Sequence, residues 1–271
     1  MAPERGSERA DAGARPAGLR AAIWWGILGL ALGGALHASA WDRALLLALH
    51  QGRPGPDALW LFLTQLGDSA LVGLVLLALA GAEGTRRALV LKAWLLGALL
   101  SPLFKALIDT PRPLAVLDPS LLQVIGHPPS GGHAMPSGHS LAAAVLAGVL
   151  GLFWAQRRTV RWAPLVLLAL AIGLSRSAVG AHWPGDVLAG LGLGTLVVVL
   201  AQAWEQRRPW ARPLASRRGD AAVLALQIVL AVALWRQPQE GGAMTLVSAS
   251  AVLLALGCAL QRPLLRERAH G

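Results

Sequence analysis

Long stretches without a charged residue constrain the fold of this chain more than any other feature. Three of them cover residues 21 to 41, 187 to 204 and 241 to 261. A helix that spans a bilayer needs about 20 mostly apolar residues, and each stretch meets or approaches that length. Five shorter apolar runs add further predicted spans, at residues 69 to 82, 88 to 104, 140 to 156, 162 to 175 and 221 to 235. The sequence therefore predicts an all-α, polytopic membrane helix bundle.

The composition is that of a membrane protein, and it argues against cysteine chemistry and a nucleic-acid partner. Only 14% of the 271 residues are charged, against roughly 25% in soluble domains. The single cysteine, Cys258, excludes an internal disulfide and a cysteine-based metal site. The formal charge of +10 would suit a nucleic-acid partner. We expect no such partner, because most basic residues lie in the tails and in alternate connections between the predicted spans.

The basic residues also predict how the chain is oriented in the membrane. Of 24 Lys and Arg, 17 fall in one set of connections and six in the other. Cytoplasmic loops carry the excess of Lys and Arg, so both termini of this multi-pass chain are predicted to lie on the cytoplasmic side of the inner (plasma) membrane. The smaller set, predicted to face the periplasm or exterior, comprises Arg43, Arg53, Lys105, Arg112, Arg176 and Arg236.

The same pattern divides the chain into five predicted segments. A cytoplasmic basic tail (1–20) precedes a six-span core (21–204). A cytoplasmic basic linker (205–219) then leads to two additional transmembrane helices (220–261) and a cytoplasmic tail (262–271). The last two spans carry no candidate catalytic residue. Packing against the core, dimerisation and a lipid-facing wall are all open interpretations of them.

Two N-terminal segments need separate interpretation. The first span imitates a cleavable signal peptide, because a basic start and an apolar stretch end in Ala38-Ser39-Ala40. We nevertheless expect residues 21 to 41 to be retained. Residues 42 to 66 are too mixed to span, and their apolar spacing predicts amphipathic helical pieces interrupted by Pro54-Gly55-Pro56.

Six ionisable residues have no topological explanation, and all lie at the predicted outer ends of spans three to six. Ionisable groups at membrane depth are costly and mark function by default. A single Lys or Arg at such a position would be interpreted as interfacial, whereas six at one level indicate a functional site. They are Lys105, Arg112, His139, Arg176, His182 and Asp186.

These residue types suit a phosphate ester. Three cations can stabilise the charge on phosphoryl oxygens, and arginine matches phosphate with two parallel N–H groups. Ser137 can cap the fourth span, while Gly138 lets backbone N–H groups approach an anion. His182 and Asp186 are spaced i, i+4, so on a helix that begins near Pro184 the carboxylate can fix the imidazole tautomer.

Three sequence blocks at these positions resemble those of the type 2 phosphatidic acid phosphatases, the lipid phosphate phosphatase and vanadium haloperoxidase superfamily. They are Lys-x6-Arg-Pro at 105 to 113, Pro-Ser-Gly-His at 136 to 139, and Ser-Arg-x5-His-x3-Asp at 175 to 186. The resemblance extends from about residue 23 to 204. It implies a membrane-bound bacterial lipid phosphatase with a six-helix phosphatase core, to which the last two spans are additions.

The resemblance also implies a role for each site residue. His182 would attack phosphorus to give a phosphohistidine, Asp186 would orient it, and His139 would protonate the leaving alkoxide. Neither a metal nor another cofactor is implied. The residues that would hold the phosphoryl oxygens are Lys105, Arg112, Ser137, Gly138 and Arg176.

The expected substrate is a lipid phosphate that enters from the surrounding membrane lipids. Undecaprenyl diphosphate, phosphatidylglycerol phosphate, phosphatidic acid and the phosphate of lipid A are all compatible with the sequence. A lipid phosphotransferase that uses the same intermediate is one alternative. A non-enzymatic membrane carrier is another, but it would place polar residues near the middle of several spans. A rhomboid-type protease fits least, because Met135 stands where glycine is expected.

Several smaller features carry expectations of their own. Gly190 and Gly194 predict close helix contact in the sixth span, and Asp68 is placed to cap the second span. Five histidines lie outside the three blocks, one of them, His270, in the C-terminal tail. We expect His37 and His50, which have no partner in the sequence, at the membrane interface, and His127 and His133 in a solvated loop, with substrate contact as the alternative.

Overall fold

The computed structural model describes residues 7–127, 131–154 and 162–237, with scattered residues between 245 and 257. Cys258, the C-terminal tail and most of the predicted eighth span lie outside the described residues. The helices are α1 (Ser7–His37), α2 (Ala40–Gln51), α3 (Asp57–Gln65), α4 (Ser69–Ala80), α5 (Gly84–Ile108), α6 (Pro113–Val116), α7 (Gly138–Trp154), α8 (Trp162–Ala178), α9 (Pro184–Arg207), α10 (Ala211–Leu214) and α11 (Arg217–Trp235).

Each of the first seven predicted spans is helical over most of its described residues. The Gly18–His37 part of α1 and the whole of α5, α9 and α11 are each long and apolar enough to cross a bilayer. Helices α3 and α4 reach that length only as a pair, which bends by 58°. Helices α7 and α8 are apolar and 17 residues long. The chain is thus an all-α, multi-pass membrane protein, as predicted.

Helix α9 lies at the centre of the bundle, in contact with α1, α5, α7 and α8. Its small residues allow this position. A Cβ at Gly190 would overlap the carbonyl of Ser137, the residue before α7, and one at Gly194 would overlap the Leu141 carbonyl of α7. On α1, a Cβ at Gly29 would come within 2.9 Å of the Gly192 Cα. The predicted close contact at Gly190 and Gly194 is confirmed, and α1 makes a second contact of the same kind.

The amphipathic pieces predicted in residues 42 to 66 are the helices α2 and α3. They flank Pro54-Gly55-Pro56, where Gly55 has a φ of 78° that glycine adopts without strain. The chain then turns at Asp68, whose side chain accepts hydrogen bonds from the N–H groups of Ala70 and Leu71. Asp68 therefore caps α4, as predicted.

The first of the two additional spans, α11, packs against α4. Leu230 and Leu234 of α11 are buried in the same apolar core as Leu74 of α4. At one end of α11 the buried Arg87 lies 2.7 Å from Asp220. At the other end the Gln237 side-chain amide donates over 3.0 Å to Asp68 Oδ2, the carboxylate oxygen that does not cap α4. For this span the structure supports packing against the core.

Lys92, which interrupts the third predicted span, has a structural role. Its side chain is fully buried and its ammonium donates to the Glu205 carboxylate and, over 2.6 Å, to the Arg208 carbonyl. The same ammonium nitrogen lies 5.1 Å from the ring centroid of Trp204 and 4.7 Å from that of Trp210. Lys92 is 13 residues, or roughly 20 Å of helix, from Lys105. It therefore ties α5 to α9 far from the candidate site.

Candidate active site

The turn between α8 and α9 places His182. The Arg176 carbonyl at the end of α8 accepts hydrogen bonds from the N–H groups of Ala181 (2.9 Å) and His182 (3.2 Å). Gly180 makes the turn possible because its φ is 79°. Helix α9 then begins at Pro184, which has the fixed φ of a first helical residue. The predicted helix start near Pro184 is confirmed.

His182 and Asp186 form a buried pair. His182 Nδ1 lies 3.1 Å from Asp186 Oδ2, and the same oxygen accepts from the Trp183 N–H over 3.0 Å. On the other side of the ring, Arg112 Nη1 lies 3.1 Å from His182 Nε2. Because a guanidinium can only donate, Nε2 is the acceptor and the proton is on Nδ1. Asp186 thus fixes the tautomer in which Nε2 carries no proton.

Arg112 is held by a folded loop. Its Nε donates to the Gly131 carbonyl over 2.8 Å and its Nη1 to the Ala181 carbonyl over 3.2 Å. The loop is closed by an isolated β-bridge between Pro111 and His133 and by a hydrogen bond from the Ala134 N–H to the Thr110 carbonyl. Burial lowers the pKa of Arg112, and the Asp186 carboxylate opposes that shift.

The Pro-Ser-Gly-His block begins α7. The buried Ser137 precedes the helix, and its Oγ lies 3.4 Å from the Ser140 N–H in the position of an N-cap. The Ser137 N–H donates to the Asp186 carbonyl over 3.0 Å, which joins the start of α7 to the start of α9. The first N–H groups of a helix have no acceptor within it, so those of Gly138 and His139 are available to an anion.

The remaining two cations face the same region. Arg176 is buried near the end of α8, and its Nη1 donates to the hydroxyl of Thr64 on α3. Lys105, on the last turn of α5, lies 3.5 Å from the His133 carbonyl. Burial lowers the pKa of His182 well below its usual value, and the positive charges of Arg176, Arg112 and Lys105 lower it further. The structure therefore brings the three predicted cations together around the predicted nucleophile.

Sequence reasoning missed several neighbours of the site. Thr64 lies in none of the three blocks, and its contact with Arg176 joins α3 to α8. The interfacial position expected for His37 and His50 stays a prediction, but both have partners in the structure that the sequence does not show. His37 Nδ1 lies 3.0 Å from Asp42, and His50 Nδ1 donates to the Ala178 carbonyl over 2.8 Å. No sequence signal marks these contacts, except that His37 and Asp42 are only five residues apart.

The loop histidines agree in part with expectation. His133 is half exposed, and its Nδ1 lies 2.7 Å from the Asp109 carboxylate. Its carbonyl is the group near Lys105, so its backbone rather than its ring borders the site. His127 is exposed, as expected of a loop residue. Substrate contact by either ring stays a prediction.

Residues 87–210 match the family profile of the PAP2 superfamily. The matched segment contains all three sequence blocks and every side chain of the candidate site described above except Thr64, His37, Asp42 and His50. The predicted resemblance to the type 2 phosphatidic acid phosphatases is confirmed. The molecule is thus a helical membrane protein whose candidate site lies within the segment that resembles the PAP2 superfamily.

Particular proteins are similar to parts of this chain. Phosphatidylglycerophosphatase B of Escherichia coli strain K12 is 38% identical over 77 residues, which cover 28% of this chain and 30% of that protein. Lipid A 1-phosphatase of Rhizobium etli is 33% identical over 100 residues, 35% of this chain and 40% of that protein. The matched stretches span only about a third of the length of these relatives.

Two solved structures share the fold. A transmembrane PAP2 type phosphatidylglycerolphosphate phosphatase from Bacillus subtilis superposes with a TM-score of 0.52 at 22% identity, covering 69% of this chain and 96% of that one. LpxE of Aquifex aeolicus superposes with a TM-score of 0.50 at 22% identity, covering 61% of this chain and 97% of that one. At this level of identity the likeness concerns the fold.

Proposed function

We propose that this protein is an integral-membrane phosphatase that hydrolyses a lipid phosphate or polyprenyl diphosphate at the outer face of the membrane, through a phosphohistidine. The observation that carries the proposal is the placement of His182. Its Nδ1 is bound to Asp186, its Nε2 carries no proton and accepts from Arg112, and three cations surround it. A nucleophile oriented by a carboxylate amid positive charge suits attack on a phosphate ester.

In the first step His182 Nε2 attacks phosphorus and the bond from phosphorus to the ester oxygen breaks. In the structure Arg112 donates to Nε2. The arriving phosphoryl group replaces this hydrogen bond, and the guanidinium then binds a phosphoryl oxygen. Arg176, Lys105 and the N–H groups at the start of α7 hold the other oxygens. These donors stabilise the charge that develops on the equatorial oxygens of the transition state.

His139 acts on the leaving group. It gives a proton to the departing alkoxide, or to the departing phosphate of a diphosphate, and becomes a neutral base. In the second step it takes a proton from water, the water oxygen attacks phosphorus, and the bond from phosphorus to His182 breaks. Inorganic phosphate leaves, and both histidines return to their starting forms.

The cations support a reaction that uses no metal ion. Other phosphoryl-transfer enzymes use bound metal ions to neutralise phosphate oxygens, and here Lys105, Arg112 and Arg176 are placed to do so. Activity is therefore expected to persist in EDTA and to be inhibited by vanadate, which copies the trigonal-bipyramidal transition state. Activity that EDTA removes and magnesium restores would contradict this part of the proposal.

The substrate is proposed from the site and the relatives together. A phosphate site at one end of a helix bundle suits an amphiphile whose head group enters from the plane of the membrane. The names of the similar proteins point to phosphatidylglycerol phosphate and to the 1-phosphate of lipid A. Undecaprenyl diphosphate and phosphatidic acid have the same chemistry at the reacting phosphorus.

The test is an assay of the purified full-length protein against these four lipids in detergent micelles. Phosphate release and transfer to a second lipid are measured in the same reactions. The proposal predicts release of inorganic phosphate from at least one lipid, and none from the His182→Ala variant. Phosphorylated acceptor lipid without free phosphate would assign the protein as a phosphotransferase. Equal release by His182→Ala would overturn the mechanism.

A further inference from the structure

The elbow between α1 and α2, residues 37 to 42, lies directly behind the His182 and Asp186 pair. His37 is the last residue of α1, and Asp42 lies in the first turn of α2. The Asp42 side chain is buried. Its Oδ1 accepts from the Gly185 N–H over 2.8 Å, and its Oδ2 lies 3.0 Å from His37 Nδ1. Asp42 therefore joins the elbow, through His37, to the first turn of α9, through Gly185.

His37 lies between two buried carboxylates. Its Nδ1 is 3.0 Å from Asp42 Oδ2 and 4.0 Å from Asp186 Oδ1. Asp186 Oδ2 is occupied by His182 and Trp183, whereas Oδ1 is buried and accepts no hydrogen bond from the described part of the chain. Two carboxylates in one buried site repel each other unless a cation or a proton balances them. The His37 imidazole is the group placed to do so.

Close packing fixes the elbow in this position. A Cβ at Gly185 would lie 2.8 Å from the Gly33 carbonyl and 3.0 Å from the His37 Cβ, so the first turn of α9 admits no side chain there. The His37 ring packs edge-on against Trp183, with ring centroids 6.4 Å apart. Trp183 in turn donates from Nε1 to the Pro111 carbonyl, next to Arg112. One tryptophan thus links the elbow to the loop that carries a phosphate ligand.

We propose that His37 and Asp42 are positioning residues for the reaction and that they act through Asp186. His37 balances the charge of Asp186 and keeps its carboxylate turned toward His182, while Asp42 holds His37 and the Gly185 N–H. Neither residue touches the phosphoryl group, and neither makes or breaks a bond. The inference rests on the proposed function, because it concerns the nucleophile of that reaction.

Two substitutions test the proposal in the purified full-length protein. His37→Gln keeps a donor beside Asp42 but removes the imidazole, and Asp42→Asn keeps an acceptor for the Gly185 N–H but removes the charge. With the best lipid of the panel, each is expected to lower kcat about 10- to 100-fold, the worth of a hydrogen bond to a charged group. KM is expected to stay within about threefold of wild type, because Asp186 orients the nucleophile rather than the substrate.

A matched control separates this effect from general damage. Asp57 lies in the first turn of α3 as Asp42 does in α2, but it is exposed, and its ion pair in the described part of the chain is with the nearby Arg53. Asp57→Asn is expected to leave kcat unchanged. The double variant His37→Gln/Asp42→Asn is expected to be no slower than the slower single variant, because both residues act through one carboxylate. Losses that multiply, or that follow a loss of folded protein in thermal unfolding, would overturn the proposal.

Vanadate binding distinguishes failure of this inference from failure of the proposed function. The oxyanion bonds to His182 without any lipid being turned over, so its affinity can be measured by calorimetry. Wild type is expected to bind vanadate, and His37→Gln and Asp42→Asn to bind it about tenfold more weakly, for the reason given for kcat. Vanadate binding with this loss, but no hydrolysis of any lipid, would overturn the proposed function alone. Wild-type affinity and kcat in both variants, or no vanadate binding by wild type, would overturn the inference.

Discussion

At the scale of single residues, the proposed chemistry depends on which groups carry protons. His182 must present a neutral Nε2 to attack, and the Asp186 contact at Nδ1 maintains that tautomer. His139 must instead carry a proton when the leaving group departs. The same three cations surround both histidines, so we expect His139 to hold this proton only when the negatively charged phosphate is bound beside it. Two predictions separate their roles.

The first concerns pH. Burial and the nearby cations lower the pKa of His182 well below 6.5. The neutral form is therefore retained at pH values where an exposed histidine is already protonated, and activity is lost only as the pH falls through the lowered pKa. We expect the acid limb of kcat/KM, which reports the free enzyme, to lie below pH 6.5. Arg176→Gln should move this limb to higher pH, and a limb that does not move would contradict the electrostatic account.

The second concerns the leaving group. His139→Ala is expected to slow hydrolysis of an alkyl phosphate by about 10² to 10⁴, the range for general acid catalysis. A phenol that leaves without a proton needs no such acid, so an activated aryl phosphate should lose much less. Parallel kinetics with the two substrates measure the difference. Equal losses would reassign His139 to substrate binding.

The sequence predicts the site residues that belong to short blocks, because their chemistry is visible in the residue types and spacing. It does not predict Thr64, whose role depends on Arg176, more than a hundred residues away. Nor does it predict the partnership of Asp42 with Gly185, which exists only once α2 and α9 are packed together. Contacts between distant segments leave no local pattern.

At the scale of the helices, the contact between α1 and α9 supports the site. Because the glycines of α1 lie against the first turns of α9, the backbone that carries Asp186 is held directly by another helix. The expectation that residues 21 to 41 stay in the mature protein remains a prediction, and this packing supports it. The charge-free run predicts the span, whereas its partner helix is known only from the structure.

Adjacent glycines on α1 test this contact. A Cβ at Gly33 would lie 2.6 Å from the Ala189 nitrogen and 2.7 Å from the Gly185 carbonyl, whereas one at Gly34 meets nothing within 4 Å. We expect Gly33→Ala to lower the free energy of unfolding by about 1 to 3 kcal/mol, the usual cost of overpacking, and to reduce kcat. Gly34→Ala should be neutral, or stabilising by up to about 1 kcal/mol through helix propensity. Thermal unfolding in detergent compares them, and equal stability of the two variants would contradict the close packing.

At the scale of the whole molecule, the charges at the two ends of the bundle predict its orientation. Three of the six basic residues at the site end are the proposed phosphate ligands, so their position follows from chemistry rather than from insertion. Without them the bias is 17 against three. The sequence predicts where the first seven apolar helices lie, because each contains a run of apolar residues. It leaves the role of the seventh open, since the Arg87 and Gln237 contacts that fix α11 are side-chain pairings across the bundle.

Cysteine labelling measures the orientation. In a Cys258→Ser background, Ser120→Cys is expected to react with an impermeant maleimide in intact spheroplasts. Thr85→Cys and Ala215→Cys should react only after lysis, because they lie in the predicted cytoplasmic connections. All three positions are exposed in the structure, so accessibility does not distinguish them. The opposite labelling pattern would place the site in the cytoplasm and exclude every outer-leaflet substrate proposed above.

The central claim is that His182 carries the phosphoryl group during the reaction. Rapid mixing of the full-length protein with a lipid labelled at the phosphate, followed by quenching in alkali, preserves a phosphohistidine for peptide mass spectrometry. We expect label on His182 in wild type, and neither label nor turnover in a folded His182→Ala variant, because no path through the same intermediate survives. Turnover by wild type with no label on His182, or appreciable turnover by His182→Ala, would contradict the account.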